Sequence, residues 1–457
     1  MKTLLPLALV GIIIATGCQD RAPGGDAGTG GSDGGTGGSD GGTGGSDGGT
    51  GGNDGGTGGN DGGSGGSDGG SGGSDGGSGG REEPEVPFPN LIPPATGQAG
   101  ATAPDGWTFL ADDGVLGMGE WSRDADGSVV LYTEVSGGSP AGHARWWFTP
   151  IRLTGGRFYE YADEHRSYGK SRLIWSCQPE NGERRFHYAW QTSSASVWTR
   201  SSFRFYVPET CDVTVMNVLD HPGYLETRHH ELREVAPAPL PRPLVSIAFD
   251  DGYASSATVA APALEALGMH GSFYLVNGWL GRAPYLAADA AASLARAGHE
   301  LGCHSASHPV MPDVPAGQLR DEIEGCLRQV ERLGASGGLA YPFGEFDEVV
   351  ETYAKTQARY IRTSLSGLND ATVDPSRIRI LAVTTETTTA EIEQAIDSAA
   401  ATSTWLVLLF HDLGTPNESD PYTTDRGQFD EVLRYLASSG NQVLPVGEAL
   451  DEVARAR

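Results

Sequence analysis

The sequence predicts a multidomain chain: a disordered Gly-rich tether, an all-β jelly-roll sandwich, and an α/β domain closed into a distorted (β/α) barrel. Three observations lead there. Residues 24–80 repeat a seven-residue unit of the type GGTGGSD that has no apolar side chain to bury. Short alternating runs between turn signals fill 86–235, with hardly any helical periodicity. From 244 onward apolar strands and helical runs take turns, the pattern of a parallel sheet. The predicted layout is a lipoprotein-type signal over 1–18, a linker over 19–85, the sandwich over 86–235, a Pro-rich linker over 236–243 and the barrel over 244–457.

The chain opens with MKTLLPLALVGIIIATGC, in which Lys2 precedes an apolar run too short for a comfortable membrane span. Ala15-Thr16-Gly17-Cys18 resembles a bacterial lipobox, with Ala15 where Leu is usual. That resemblance implies a diacylated Cys18 and an anchor in the cell envelope; plain signal cleavage is the alternative. Either way the protein is expected to be exported. Behind it, Asp33, Asp40, Asp47, Asp54, Asp61, Asp68 and Asp75 recur through the repeat, which cannot offset chain entropy and stays disordered. Such a leash reaches about 40 Å and is extended further by its own charge.

The sandwich strands are read from SVVLYTEV, HARWWFTPIRL, SRLIWSC, SSFRFYV and CDVTVMNVLD. Trp107, Trp121, Trp146, Trp147, Trp175, Trp190 and Trp198 all fall here, and most must be core. A minority on an open face could stack on sugar rings. NLIPPATGQAGATAPDGW and the closing run SSFRFYVPETCDVTVMNVLDHPGYLETRHHELREV resemble carbohydrate-binding jelly-roll modules. A purely structural sandwich is the competing reading.

In the barrel region, strands are read from LVSIAFDD, GSFYLV, HELGCH, GLAYPFG, YIRTSLS and WLVLLFHD, with helices between them. Strand ends of such a barrel gather on one face. Asp250 and Asp251 end the first of these strands; His304 ends another, followed four residues on by His308. YPFG ends a further strand, and His411 ends WLVLLFHD. Alone, each has a bland reading as a helix cap or a hydrogen-bonded structural group. Together, two His and one Asp on one face form a facial triad that leaves coordination positions open, and so predict a bound metal.

FDDG, HSASHP and LLFHD, in that order and spacing, resemble the polysaccharide deacetylase family (NodB homology, carbohydrate esterase family 4) over about 242–450. The resemblance implies a metal-dependent hydrolase that removes acetyl groups from an extracellular polysaccharide. Asp250 would be the catalytic base, Asp251, His304 and His308 the metal ligands, and His411 the general acid. Leu409 would line the acetyl pocket and the backbone N–H of Phe343 would face the oxyanion. Zn²⁺ is the expected ion, and the ligand set would also accept Co²⁺ or Ni²⁺. N-acetylglucosamine polymers are favoured over O-acetylated xylan by family frequency, and a monomer is expected.

One position departs from the family. Its third motif begins with an Arg that pairs with the base, and Ala340 stands there in AYPFG. Arg362, in YIRTSLSGLN, is the candidate substitute. The carboxylate that orients the family's acid His also lacks a clear match, Asp370 and Asp374 being the candidates. A net charge of −28 speaks against a nucleic-acid partner. In an oxidising compartment Cys177 with Cys211, and Cys303 with Cys326, are the economical disulfides, with free thiols left open. Two rival functions remain from the sequence: an inactive carbohydrate-binding surface protein, and an iron oxygenase using the same two-His, one-carboxylate set.

Overall fold

The first folded region consists of two antiparallel sheets. The computed structural model describes residues 88–98, 101–138, 142–169, 171–192, 194–219, 221–334, 338–416 and 420–457. The signal segment, Cys18 and the Gly-rich repeat lie outside these residues. Before residue 236 the strands are β1 (Trp107–Ala111), β2 (Val115–Arg123), β3 (Val129–Gly138), β4 (Ala144–Phe148), β5 (Ile151–Leu153), β6 (Arg157–Tyr168), β7 (Ser171–Pro179), β8 (Arg185–Thr192), β9 (Ala195–Val207), β10 (Cys211–Leu219) and β11 (Gly223–Val235). One sheet runs β1-β4-β10-β7-β8, with β5 also on β10; the other runs β2-β3-β11-β6-β9.

Trp146, Trp175 and Val215 of the first sheet share a core with Tyr159, Phe205 and Leu232 of the second. HARWWFTPIRL is two strands rather than one, because Pro150 interrupts the ladder between β4 and β5. Of the tryptophans, Trp107, Trp146 and Trp175 are buried in this core. Trp198 instead lies under two guanidinium groups, with Arg228 at 4.1 Å and Arg166 at 4.8 Å from its ring centre. The core also holds a carboxylate: Asp163 accepts from Asn217 Nδ2 at 2.6 Å and Tyr161 OH at 3.1 Å. Burial outweighs those bonds and pushes its pKa up to about 6.

The second region is a closed ring of seven parallel strands. They are β12 (Leu244–Phe249), β13 (Ser272–Leu275), β14 (Glu300–Cys303), β15 (Gly338–Ala340), β16 (Tyr360–Ser366), β17 (Ile378–Ala382) and β18 (Trp405–Phe410). Each pairs with the next, and β12 pairs with both β18 and β13 to close the ring. Every residue of β12 and β18 is buried, as expected for parallel strands covered on both faces. Helices wrap the outside. The helix Thr389–Thr402 begins where Thr388 and Glu391 form a reciprocal capping box, and it buries Ile392, Ile396 and Ala399 against the sheet. Its last turn closes on Ser403 in the left-handed region at φ 51°.

The Pro-rich run 236–243 is not a free spacer. Leu240 is buried and donates its N–H to Ser403 O at 2.7 Å, while Ala238 O accepts from Ala371 N at 2.9 Å. The described residues Phe88–Arg457 fall within one compact unit. Disulfides join Cys177 to Cys211 between β7 and β10, and Cys303 to Cys326 between β14 and the helix Cys326–Arg332. With partners 34 and 23 positions apart in sequence, each closes a loop that removes about 3–4 kcal/mol of unfolded-state entropy in the chain-entropy picture.

Candidate active site

Because all seven strands are parallel, the chain leaves β12, β14, β15 and β18 on the same side of the ring. Asp250 follows β12 and Asp251 comes next in the left-handed region at φ 69°, with Gly252 at φ 70°. Two successive left-handed residues turn the chain sharply, so the neighbouring carboxylates face different partners. Backbone conformations of this kind cost energy in a non-Gly residue and persist only where the surroundings enforce them. Ser305, His308 and Phe343 share the feature, at φ 67°, 64° and 58°.

Asp251, His304 and His308 converge: their ligand atoms lie within 4.8 Å of one another, and all three residues are buried. His308 Nε2 stands 3.3 Å and His304 Nε2 3.5 Å from Asp251 Oδ1. His304 Nδ1–H donates to Ala340 O at 2.9 Å, which fixes the tautomer and leaves Nε2 facing the cluster. Neither ring nitrogen of His308 has a hydrogen-bond partner among the described residues. Buried donor atoms left in that condition fit a divalent cation held by one carboxylate and two neutral imidazoles.

The electrostatics agree. Burial drives the His304 pKa down to about 4, against a smaller opposing pull from Asp250, so the ring is neutral at physiological pH. Burial alone would raise the Asp251 carboxyl, but the His308 imidazole beside it and the fields of His411 and His304 hold it below the usual range. Both groups therefore rest in the state a metal needs.

A pH dependence of stability follows for metal-free protein. An unfolded His takes its proton near 6.5 and His304 only near 4, so between those values the unfolded chain binds more protons. Stability therefore falls as pH drops through that window. His187 and His230, lowered to about 4 and about 3 by burial, act in the same sense. Asp163, raised by burial from 3.8 to about 6, opposes them as pH rises through that range. Chelator-treated protein is expected to unfold at lower urea between about pH 7 and about pH 5, three groups outweighing one. A midpoint that climbs on acidification would contradict the neutral His304.

Asp250 sits beside the triad but has a different partner. Arg362 NH2 donates to both carboxylate oxygens at 2.6 Å, and both residues are buried. Arg362 reaches in from β16, whose residue 362 lies directly beside Ala340 of β15. Its guanidinium also lies 5.0 Å over the Tyr274 ring. His304 Nε2 is 3.7 Å from Asp250 Oδ2, so Asp250 borders the ligand cluster.

Phe343 follows β15 in a tight turn, its ring 4.4 Å from that of His308. Gly344 is required there: φ is +69°, and a Cβ would come within 1.8 Å of Ser364 Oγ. Leu409 is buried in β18 beside Ala248 of β12. His411 leaves β18 next to Asp250, whose N–H donates to Phe410 O at 3.0 Å. The His411 ring packs 4.7 Å from Tyr422, and its Nδ1 has no hydrogen-bond partner among the described residues. Neither Asp370 nor Asp374 orients it. Asp370 accepts from Thr372, Ala238 and Arg204, and Asp374 from Ser376; both serve local turns or ties. Cys303, bonded to Cys326, has no thiolate to offer a metal.

Sequence reasoning missed an aromatic wall. Trp279 packs 4.8 Å from His308 and stacks on Tyr285 at 4.5 Å, and Tyr285 lies 5.1 Å from Tyr253. Trp279 and Tyr285 sit in the loop after β13, so NGWLGRAPY at a barrel strand end was the available signal.

Residues 238–361 match the family model described as polysaccharide deacetylase. An uncharacterized 30.6 kDa protein from the fumA 3′ region of Geobacillus stearothermophilus is 29% identical over 108 residues, 23% of this chain. The chain spans 39% of that relative's length. Among solved structures, similarity extends to the Xyl-CE4 domain of a multidomain xylanase from the hindgut metagenome of Trinervitermes trinervoides. It is 18% identical over 47% of this chain and 92% of that one, with a TM-score of 0.34. The peptidoglycan deacetylase PdaC from Bacillus subtilis, solved as a mutant, is 16% identical over 47% and 93%, TM-score 0.33. A CE4 family pseudoenzyme from Bacillus anthracis is 18% identical over 48% and 70%, TM-score 0.33.

Proposed function

We propose that this chain, whose residues 238–361 carry the polysaccharide deacetylase family pattern, is a metal-dependent hydrolase that removes acetyl groups from an extracellular polysaccharide. N-acetylglucosamine units of chitin, peptidoglycan or poly-N-acetylglucosamine are the proposed substrate. The observation that carries this reading is the division between two adjacent carboxylates. Asp251 faces two imidazoles, and Asp250 faces a buried guanidinium at the rim of the same cluster.

Asp251, His304 and His308 would hold a divalent ion, Zn²⁺ by choice of ligands, with Co²⁺ or Ni²⁺ acceptable. When bound, such an ion supplies Lewis-acid polarisation and acidifies water. Asp250, held by Arg362 and kept off the ligand set, takes the proton of the attacking water. His411, leaving β18 beside Asp250, protonates the departing amine. The Phe343 N–H, in its strained turn, would donate to the oxyanion, and Leu409 would wall the acetyl pocket. The aromatic wall of Trp279 and Tyr285 gives a sugar ring a surface on which to stack.

The sandwich is proposed as a jelly roll that holds the enzyme on its polymer. Its strand orders β3-β11-β6-β9 and β4-β10-β7-β8 support the two interlocked Greek keys of that architecture. Export, and an anchor at Cys18, complete the proposal for a cell-envelope protein. The test is acetate release from chitin oligomers, peptidoglycan, poly-N-acetylglucosamine and acetyl-xylan with and without added Zn²⁺. Metal-dependent release from an N-acetylated polymer is expected. Release from acetyl-xylan alone would make it an O-acetyl esterase, and no release from any polymer would leave a binding protein. Arg362 at Asp250 weighs against that last reading, because the base keeps the cationic partner that Ala340 cannot provide.

A further inference from the structure

We propose that the sandwich is a working part of the active site, with Arg172 and Gln191 as positioning residues for the turn that presents Phe343. The inference rests on the deacetylase reading for what that turn does, and on contacts between the two regions for how it is held.

Phe343 and Gly344 both occupy the left-handed region, at φ 58° and 69°. A non-Gly residue stays there only if its neighbours over-determine the backbone. The two residues that follow are gripped from outside the barrel. Glu345 Oε1 accepts from Arg172 NH2 of β7 at 2.7 Å, and that pair is nearly sealed, with side chains 12% and 7% exposed. Phe346 O accepts from Gln191 Nε2 of β8. Gln191 is itself fixed, because Tyr188 OH donates to its Oε1 at 2.5 Å.

The same strand of the sandwich is tied further along the ring. Arg379 NH1 donates to Ala189 O and to Ser366 O, each at 3.1 Å, joining β8 to the last residue of β16, the strand on which Arg362 lies nearer the start. The centre of that sheet's outer face is covered: Ile174, Met216 and Val218 are all 3% exposed or less. An independent substrate-binding module would leave its faces open and touch the barrel through a flexible spacer. Here a buried ion pair and a side chain to backbone bond meet the turn itself, and the spacer is docked rather than free.

The experiment compares full-length wild type with Arg172→Ala, Gln191→Ala and Arg172→Lys. Three quantities are measured: kcat and KM for acetate release, amide hydrogen exchange in the peptide spanning 338–348, and Zn²⁺ affinity. The two Ala variants are expected to lose about 10-fold in kcat with KM changed less than about 2-fold, the mark of a group acting on the transition state. Exchange in 338–348 is expected to quicken by about 10-fold in both, with Zn²⁺ affinity unchanged. Arg172→Lys, which keeps the charge, is expected to recover part of the loss. Unaltered kcat and unaltered exchange would overturn the inference even if thermal stability fell. Should wild type release no acetate from any polymer, the deacetylase reading fails by itself. Exchange in 338–348 then decides this inference, faster in the variants supporting it and unchanged overturning it.

Discussion

Asp250→Asn is expected to lower kcat for acetate release by about 10²–10⁴-fold, the range assigned to a positioned general base. Zn²⁺ affinity should barely change. The substitution is nearly isosteric and keeps an oxygen for Arg362, while removing the only function the proposed mechanism asks of that carboxylate. Asp251→Asn should behave differently, since it weakens the ligand set and should show its loss first in metal affinity. The contrast is measured by titrating both variants with Zn²⁺ and assaying them at saturating metal. If Asp250→Asn kept wild-type turnover, the proton would have to leave by another route and the assignment of base and ligand would be wrong.

The second large effect is expected at Arg362. Truncation to Ala leaves the buried Asp250 carboxylate without the group that donates to both its oxygens. Breaking a buried ion pair from one side is strongly destabilising, by about 3–5 kcal/mol, because the surviving charge has no compensation. Urea unfolding of Arg362→Ala is expected to show a loss of that order, together with a fall in activity. The double variant Asp250→Asn with Arg362→Met removes both charges and should recover much of the stability but none of the turnover. A single variant within about 1 kcal/mol of wild type would mean that the pair contributes no more than an exposed one.

Much of the site was readable because its chemistry sits at strand ends. The order FDDG, HSASHP, YPFG and LLFHD places Asp, His or a tight Pro-Gly turn immediately after apolar runs, and a parallel ring can only bring those ends together. Strand β17 was not read, since IRILA ends in no polar group and lies between turn residues. Strand β6 was missed for another reason. Its outward positions carry Glu160, Glu164 and Arg166, which disguise a strand as a charged segment until cross-strand pairing such as Arg228 of β11 with Glu164 is seen. Residues 236–243 were read as a short stiff linker, with no signal that they dock. Proline content signals stiffness but says nothing about docking, and Leu240 is what seats the segment.

Arg362 marks the limit of reading by motif. A pattern search looks for the arginine at the residue now occupied by Ala340, yet what the carboxylate requires is a guanidinium in space. Residues 340 and 362 are cross-strand neighbours, so a guanidinium on either strand can reach the same pocket.

The covalent tie between Cys303 and Cys326 has a practical consequence. It fastens the residue immediately before His304 to a helix on the outside of the ring, so one proposed ligand inherits its rigidity from a bond that only an oxidising milieu maintains. Under the proposed function, cytosolic expression would deliver a chain with a slacker grip on the cation, and folding in the periplasm is the route to a competent preparation.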